Sequence, residues 1–270
     1  MKYTLDHDLH IHTYLSPCSA DPEQTAERIL RYARENGLHT ICLADHFWDE
    51  GLPMNSSFYR PQTLAHLKRI LPLPEESGIT FLFGCETELD AAGRIGIAPE
   101  HYDAFDFIIV PTTHMHMGEI VIKSELYRTT EQRAAAWIAR IDTLLNSDLP
   151  LYKVGLAHPV TKLLVRGDEV GYLALLEAIP EGEMRRVLSR AAALGVGIEL
   201  NADCPDRNLD TVLRVYRVAR ECGCKFYLGG DAHRPHELDS VRARLGKLLA
   251  ALDLDESDKM PMPKKSVFYS

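Results

Sequence analysis

The chain has 270 residues, enough for one large domain or two small ones, and its 46% hydrophobic content supports a sizeable core. Thirty basic against 39 acidic residues give a formal net charge of −9, which disfavours a general nucleic-acid surface. Anionic substrates stay open, because bound cations reverse the local sign. No apolar stretch approaches the length of a membrane span, and Met1 to Asp8 holds no apolar signal core, so a cytoplasmic protein without membrane contact is expected. The six cysteines, Cys18, Cys42, Cys85, Cys204, Cys222 and Cys224, are scattered and form no Cys-x-x-Cys. That argues against a disulfide framework and against a zinc ribbon.

The first apolar run, Asp8-Leu9-His10-Ile11-His12, reads as a strand. Residues two apart on a strand share a face, so His10 and His12 can aim at one point. Pro22, with Asp21 as N-cap, predicts a helix that ends near Asn36-Gly37. Thr40 to Ala44 is the second strand, ending in Asp45-His46. A loop rich in aromatics (Phe47, Trp48, Phe58, Tyr59) leads to a helix over about Pro61 to Ile70. Ile79 to Phe83 is the third strand, ending in Gly84-Cys85-Glu86, and Asp106 to Val110 is the fourth, ending near His114. A helix over about Thr130 to Leu145 precedes the fifth strand, Lys153 to Ala157, which ends in His158-Pro159. Helical segments cover Val170 to Leu194 with a break near Pro180. Strand six is Gly197 to Asn201, a helix follows over about Leu209 to Cys222, and strand seven is Lys225 to Gly229, ending in Gly230-Asp231-Ala232-His233. A helix from Pro235 to Leu252 closes the pattern; residues 253 to 270 read as a tail attached to the surface.

Strands alternating with helices make parallel β/α units. Polar residues at the C-terminal ends of all the strands fit a ring with its site on that face, whereas a doubly wound sheet would concentrate them at one switch point. The expectation is an α/β fold, a single distorted (β/α)7 barrel spanning residues 1 to 270. Taken singly, each of these residues also has an ordinary role. His46, His158 and His233 can bind backbone carbonyls, Asp45 and Asp231 can cap helices, and Glu86 can pair with a cation. His7, His39, His66, His101 and His236 lie off the strand ends and read as surface or packing residues. His116, two residues past His114, is a second-choice ligand.

The ordered set His10-x-His12, Asp45-His46, Gly84-x-Glu86, His114, His158-Pro159, Glu199-x-Asn201 and Gly230-Asp231-Ala232-His233 resembles the PHP (polymerase and histidinol phosphatase) superfamily, and its stand-alone histidinol-phosphatase branch in particular. The resemblance implies a distorted (β/α)7 barrel, two or three divalent cations (zinc, manganese or iron) and hydrolysis of a phosphate ester. It implies that His10, His12, Glu86 and Asp231 hold one cation, and that Glu86 bridges to a second held by His114 and His158. A third would take His46, His233 and a ligand from the turn after the first strand. That slot falls on Cys18 here, a departure from the oxygen or nitrogen donors usual in relatives, with Asp21 as the alternative.

Such a cluster supports attack on phosphorus by a hydroxide shared between cations, with Asp231, His233 and the bridging Glu86 as the protein's catalytic groups. A phosphate also asks for cationic side chains, and Arg128, Arg166, Arg207 and Arg234 follow strand ends. The partner implied is a small phosphorylated molecule, and the oligomeric state stays open. Four readings remain: a phosphomonoesterase with L-histidinol phosphate as the named substrate, a nucleotide or cyclic-phosphate phosphoesterase, a hydrolase of amides or lactones, and a metal-stabilised interaction domain without activity. Within the site, Glu86→Gln is expected to remove metal and Glu88→Gln to keep it, since only Glu86 matches the motif.

Overall fold

Short apolar runs covered on both faces form parallel strands, and eight of them build one sheet. They are β1 (His7–Ile11), β2 (Thr40–Leu43), β3 (His46–Phe47), β4 (Thr80–Thr87), β5 (Phe107–Pro111), β6 (Val154–Ala157), β7 (Gly197–Asn201) and β8 (Lys225–Gly229). The computed structural model describes residues 1–53, 56–204 and 209–266. Seven strands lie in the order β1-β2-β4-β5-β6-β7-β8, and β3 pairs with β4 beside that path. β1 and β8 meet through an Ile11–Ala232 bridge, with Asp231 N donating to His10 O (2.7 Å) and His12 N donating to Ala232 O (3.1 Å). The ring is therefore nearly closed, a TIM-like α/β barrel.

The helices are α1 (Ala26–Asn36), α2 (Leu64–Leu67), α3 (Thr130–Leu145), α4 (Glu169–Ala178), α5 (Glu181–Leu194), α6 (Leu209–Glu221) and α7 (Pro235–Leu252). The expected start of α1 at Pro22 is corrected. Thr25 is the N-cap and accepts from Arg28 N, while Asp21 caps its own turn by accepting from Glu23 N (2.9 Å). Gly37, at φ 62°, closes that helix in the left-handed conformation that glycine takes at low cost. α2 is only four residues long and continues as a 3-10 turn to Ile70, in place of a full helix from Pro61. Pro180 separates α4 from α5, as its missing N–H requires.

The two-residue period fills the barrel in layers. Leu82, Ile109, Ala157 and Tyr227 make an apolar layer with Leu9, Cys42 and Phe107. Three acids belong to the same barrel: Glu86 near the end of β4, Glu199 on β7 opposite Tyr227, and Asp231 just past β8. A Cβ on Gly229 would overlap the Glu199 carboxylate, so only glycine lets that acid lie inside. The tail does more than attach to the surface. Met260 is 4% exposed and joins the apolar layer, and its N–H donates to Phe226 O (2.8 Å). Lys259 pairs with Asp6 (3.0 Å), and Ser266 N donates to Asp106 Oδ1 (2.6 Å).

Candidate metal centre

β1 carries His10 and His12 to the C-terminal mouth of the barrel, fully buried, with their Nε2 atoms 3.2 Å apart. β4 runs past its expected end, so Glu86 lies inside the strand, directly opposite His46 of β3. That register sets Glu86 at the centre of the cluster. Its Oε2 is 3.6 Å from His10 Nε2, 3.4 Å from His12 Nε2 and 3.1 Å from His46 Nδ1. Its Oε1 is 3.2 Å from His158 Nε2 and 3.9 Å from His114 Nε2. Asp231 Oδ1 lies 3.5 and 3.3 Å from the Nε2 atoms of His10 and His12.

Three groups of donors are close enough to share an ion: His10 with His12 and Asp231, Glu86 with His114 and His158, and Cys18 with His12, His46 and His233. His12 stands in two of them. Cys18, and not Asp21, is the turn residue that joins the third group. Asp45 takes no part, because its carboxylate accepts from Thr13 N, Thr13 Oγ1 and Ser16 Oγ within the turn.

Most of the imidazoles are held from behind. His10 Nδ1 pairs with Glu199 (2.8 Å), His114 Nδ1 with Glu88 (2.7 Å), and His158 Nδ1 with Thr113 Oγ1 (2.8 Å). His12 Nδ1 faces Ser16 Oγ (3.2 Å), and His233 Nδ1 donates to Asp231 O (2.7 Å). A partner on Nδ1 fixes the tautomer and leaves Nε2 to ligate. His46 is reversed: its Nδ1 faces the cluster, buried and without a hydrogen-bond partner. Reading the sequence gave Glu199 no role and missed Ser16, Thr113 and Arg140. Two signals were visible: Glu199 within the Glu199-x-Asn201 motif, and Glu88 two residues beyond Glu86.

The electrostatics fit a donor set for cations. Burial works against the charge of Glu86 and Asp231, but the surrounding imidazoles outweigh it and hold both carboxyls well below their usual range. Burial pushes His46 and His233 down, toward the neutral form that binds metal. It pushes His10 down too, yet Glu199, Asp231 and Glu86 reverse the direction and draw a proton onto the ring. A cation would take that proton's place. Burial first, then Glu86, Asp231 and Asp45, raise the Cys18 thiol. His158 and Asp231 have positive φ (27° and 50°), a strained conformation for non-glycine residues that concentrates at functional sites.

A cavity of about 410 Å³ opens on the cluster, bounded by Cys18, His46, Glu86, His114, Asp231 and His233 on one side. None of the described arginines lines it. Arg128 is exposed, and Arg234 pairs with Glu237 (3.6 Å). Arg166 is exposed too, but its charge acts on His116, which does line the cavity. Arg207 lies outside the described residues.

No family model matches the chain, and no curated protein matches it. Solved structures do. A histidinol phosphate phosphatase from Lactococcus lactis, in complex with zinc, L-histidinol and phosphate, is 18% identical with a TM-score of 0.55, over 95% of this chain and 99% of its own. A putative histidinol phosphatase from Listeria monocytogenes is 15% identical with a TM-score of 0.59, over 86% of this chain and 97% of its own. The fold is that of the histidinol phosphatases. At these identities the likeness concerns the backbone. The buried cluster of imidazoles and carboxylates is this chain's own, and its mixed nitrogen, oxygen and sulfur donors suit divalent cations.

Proposed function

We propose that this protein is a metal-dependent phosphoesterase of the PHP type that hydrolyses a small phosphate monoester. The observation that carries the reading is Glu86, which turns Oε2 to His10, His12 and His46 and Oε1 to His114 and His158. One carboxylate facing two sets of imidazoles is the arrangement that holds two cations side by side. His10, His12, Asp231 and Glu86 would hold one ion, and Glu86, His114 and His158 a second. Cys18, His46 and His233, with His12 alongside, would hold a third.

When bound, such ions neutralise phosphate oxygens and lower the pKa of water. The chain's own residues do the rest. Proton transfer from attacking water to the leaving alcohol oxygen falls to atoms that do not ligate: Asp231 through Oδ2, and His233 through Nε2 when the third position holds no cation. Asn201 Nδ2 donates to Asp231 Oδ2 (3.4 Å) and orients it. Arg166 is the one of the three described candidates whose charge acts on a cavity residue, and we assign it to the approach of the anionic substrate. The Lactococcus structure makes L-histidinol phosphate the reference compound. Six scattered cysteines without a Cys-x-x-Cys fit a reducing, cytoplasmic setting.

The test is metal-depleted protein reloaded with manganese, zinc or iron and assayed for phosphate release from a panel of esters. Release only by loaded protein supports the reading. A protein that holds at least two metals per chain yet releases phosphate from no ester overturns it.

A further inference from the structure

The cavity has a second wall that faces the ligand cluster and is made differently. Phe58 and Tyr59 come from the segment after β3, Met117 and Ile120 from the 3-10 segment after β5, and Leu163 from the one after β6. Phe58 stands edge-on to His46 (5.0 Å between centroids, 70°) and to Tyr59 (5.0 Å, 80°). The Tyr59 hydroxyl is already engaged, donating to Glu88 Oε2 (3.1 Å), so this residue offers its ring to the cavity. Apart from Glu86 and Asp231 in the cluster, no carboxylate, lysine or arginine lines the cavity among the described residues.

We infer that this wall holds the uncharged, apolar alcohol half of the phosphate monoester. The inference rests on the phosphoesterase reading above and adds the substrate class to it. A second phosphate or a chain of phosphates would need cationic partners, and none lines the wall among the described residues. A nucleoside would bring ribose hydroxyls and base edges; outside the ligand cluster the polar side chains on the cavity are Ser56, whose Oγ already accepts from Tyr59 N (3.4 Å), Ser57 and His116, too few to partner them all. An ammonium group would need a carboxylate, and the two that line the cavity face the imidazole cluster, where cations would already compete for them. A benzyl-sized or cyclohexyl-sized group meets none of these costs. It buries its surface against Phe58, Met117, Ile120 and Leu163, while its phosphate reaches the cluster. The volume of about 410 Å³ admits a phosphate plus one ring.

The experiment compares esters of similarly poor leaving alcohols on metal-loaded protein: benzyl phosphate, cyclohexylmethyl phosphate, glycerol 1-phosphate, L-histidinol phosphate and AMP. The two apolar esters should exceed the other three in kcat/KM by at least about tenfold, the discrimination an apolar pocket gives to a buried hydrocarbon group. Leu163→Glu, which sets a carboxylate on the apolar wall, should narrow or invert the ratio of benzyl phosphate to L-histidinol phosphate. Equal or better turnover of L-histidinol phosphate or AMP by the unaltered protein overturns the inference. Calorimetric binding of benzylphosphonate and methylphosphonate separates it from the reading it rests on. If no ester is hydrolysed but benzylphosphonate binds at least about tenfold tighter, and Leu163→Glu removes the difference, the apolar wall stands and the phosphoesterase reading falls. Equal binding of the two phosphonates overturns the apolar wall whatever the catalytic result.

Discussion

Glu86, near the end of β4, and Glu88, one residue past it, do different work. Glu86 faces both sets of imidazoles, whereas Glu88 binds the far side of His114 and accepts from Tyr59 and Arg140. The expectation that Glu88→Gln keeps the metals stands, and the geometry adds a cost in affinity. Glu86→Gln should lose at least one metal per chain by elemental analysis. Glu88→Gln should keep its full complement at saturation but bind about 10–100-fold more weakly against a competing chelator, the usual cost of removing a carboxylate that orients a ligating histidine. Unchanged affinity in Glu88→Gln would reduce that residue to packing. Cys18 gives a second contrast. Cys18→Ser should lower metal content by about one per chain, and most clearly with zinc or iron, which favour sulfur over oxygen. Asp21→Asn should change nothing, because Asp21 is spent on Glu23 N. Loss in the aspartate variant alone would move the ligand.

At the level of elements, α3 is tied to the site by one buried cation. Arg140 is 7% exposed and donates to Thr112 O (2.8 Å), Val121 O (2.6 Å), Leu89 O (2.8 Å) and Glu88 Oε1 (3.3 Å). It thus pins the segments that follow β4 and β5, and with them His114. Arg140→Met keeps the length and removes five donors, leaving three carbonyls unpaired and Glu88 without its buried guanidinium, held only by Tyr59, His114 and Leu89 N. A loss of about 3–5 kcal/mol in urea unfolding is expected, with metal affinity falling alongside. Arg140→Lys keeps the charge but not the fork, and should fall between the two. A fully stable Arg140→Met protein would show that the loops hold themselves. The elements themselves were unevenly legible. β7, β8 and α7 are bounded by glycine, proline and compact apolar runs, so their limits could be read directly. β3 could not, because two residues become a strand only when the far half of β4 lies beside them.

For the molecule as a whole, the ring must be closed and its lower end filled, and the tail takes part in both. Asp6, just before β1, holds Lys259 (3.0 Å) and His7 (2.8 Å). Burial works against its charge, but those two hydrogen bonds outweigh it and bring the carboxyl from 3.8 to about 2. A carboxyl whose pKa is depressed on folding stabilises above its unfolded value, and the stabilisation is lost as pH falls through the folded one. Asp6→Asn should therefore melt below the unaltered protein at pH 7, with the gap closing between about pH 4 and pH 2. A gap that persists or widens in acid would show that the tail is held by Met260 and its apolar neighbours alone.

The sequence by itself determined the β/α alternation, the barrel and which strand-end residues converge. Those facts follow from the two-residue period and from the rule that parallel strands present their C-terminal ends to one face, both local to each segment. Only the tertiary structure decided which residues support the ligands from behind. Glu199 reaches His10 across 189 positions, and Arg140 finds its acceptors among carbonyls of separate segments. Backbone carbonyls are the same at every residue, so nothing in the order of side chains marks which of them a buried guanidinium will meet. The burial of Met260 belongs to the same class. Its place was vacant only because Gly197 carries no side chain at the facing position, a coincidence of two segments far apart in the chain.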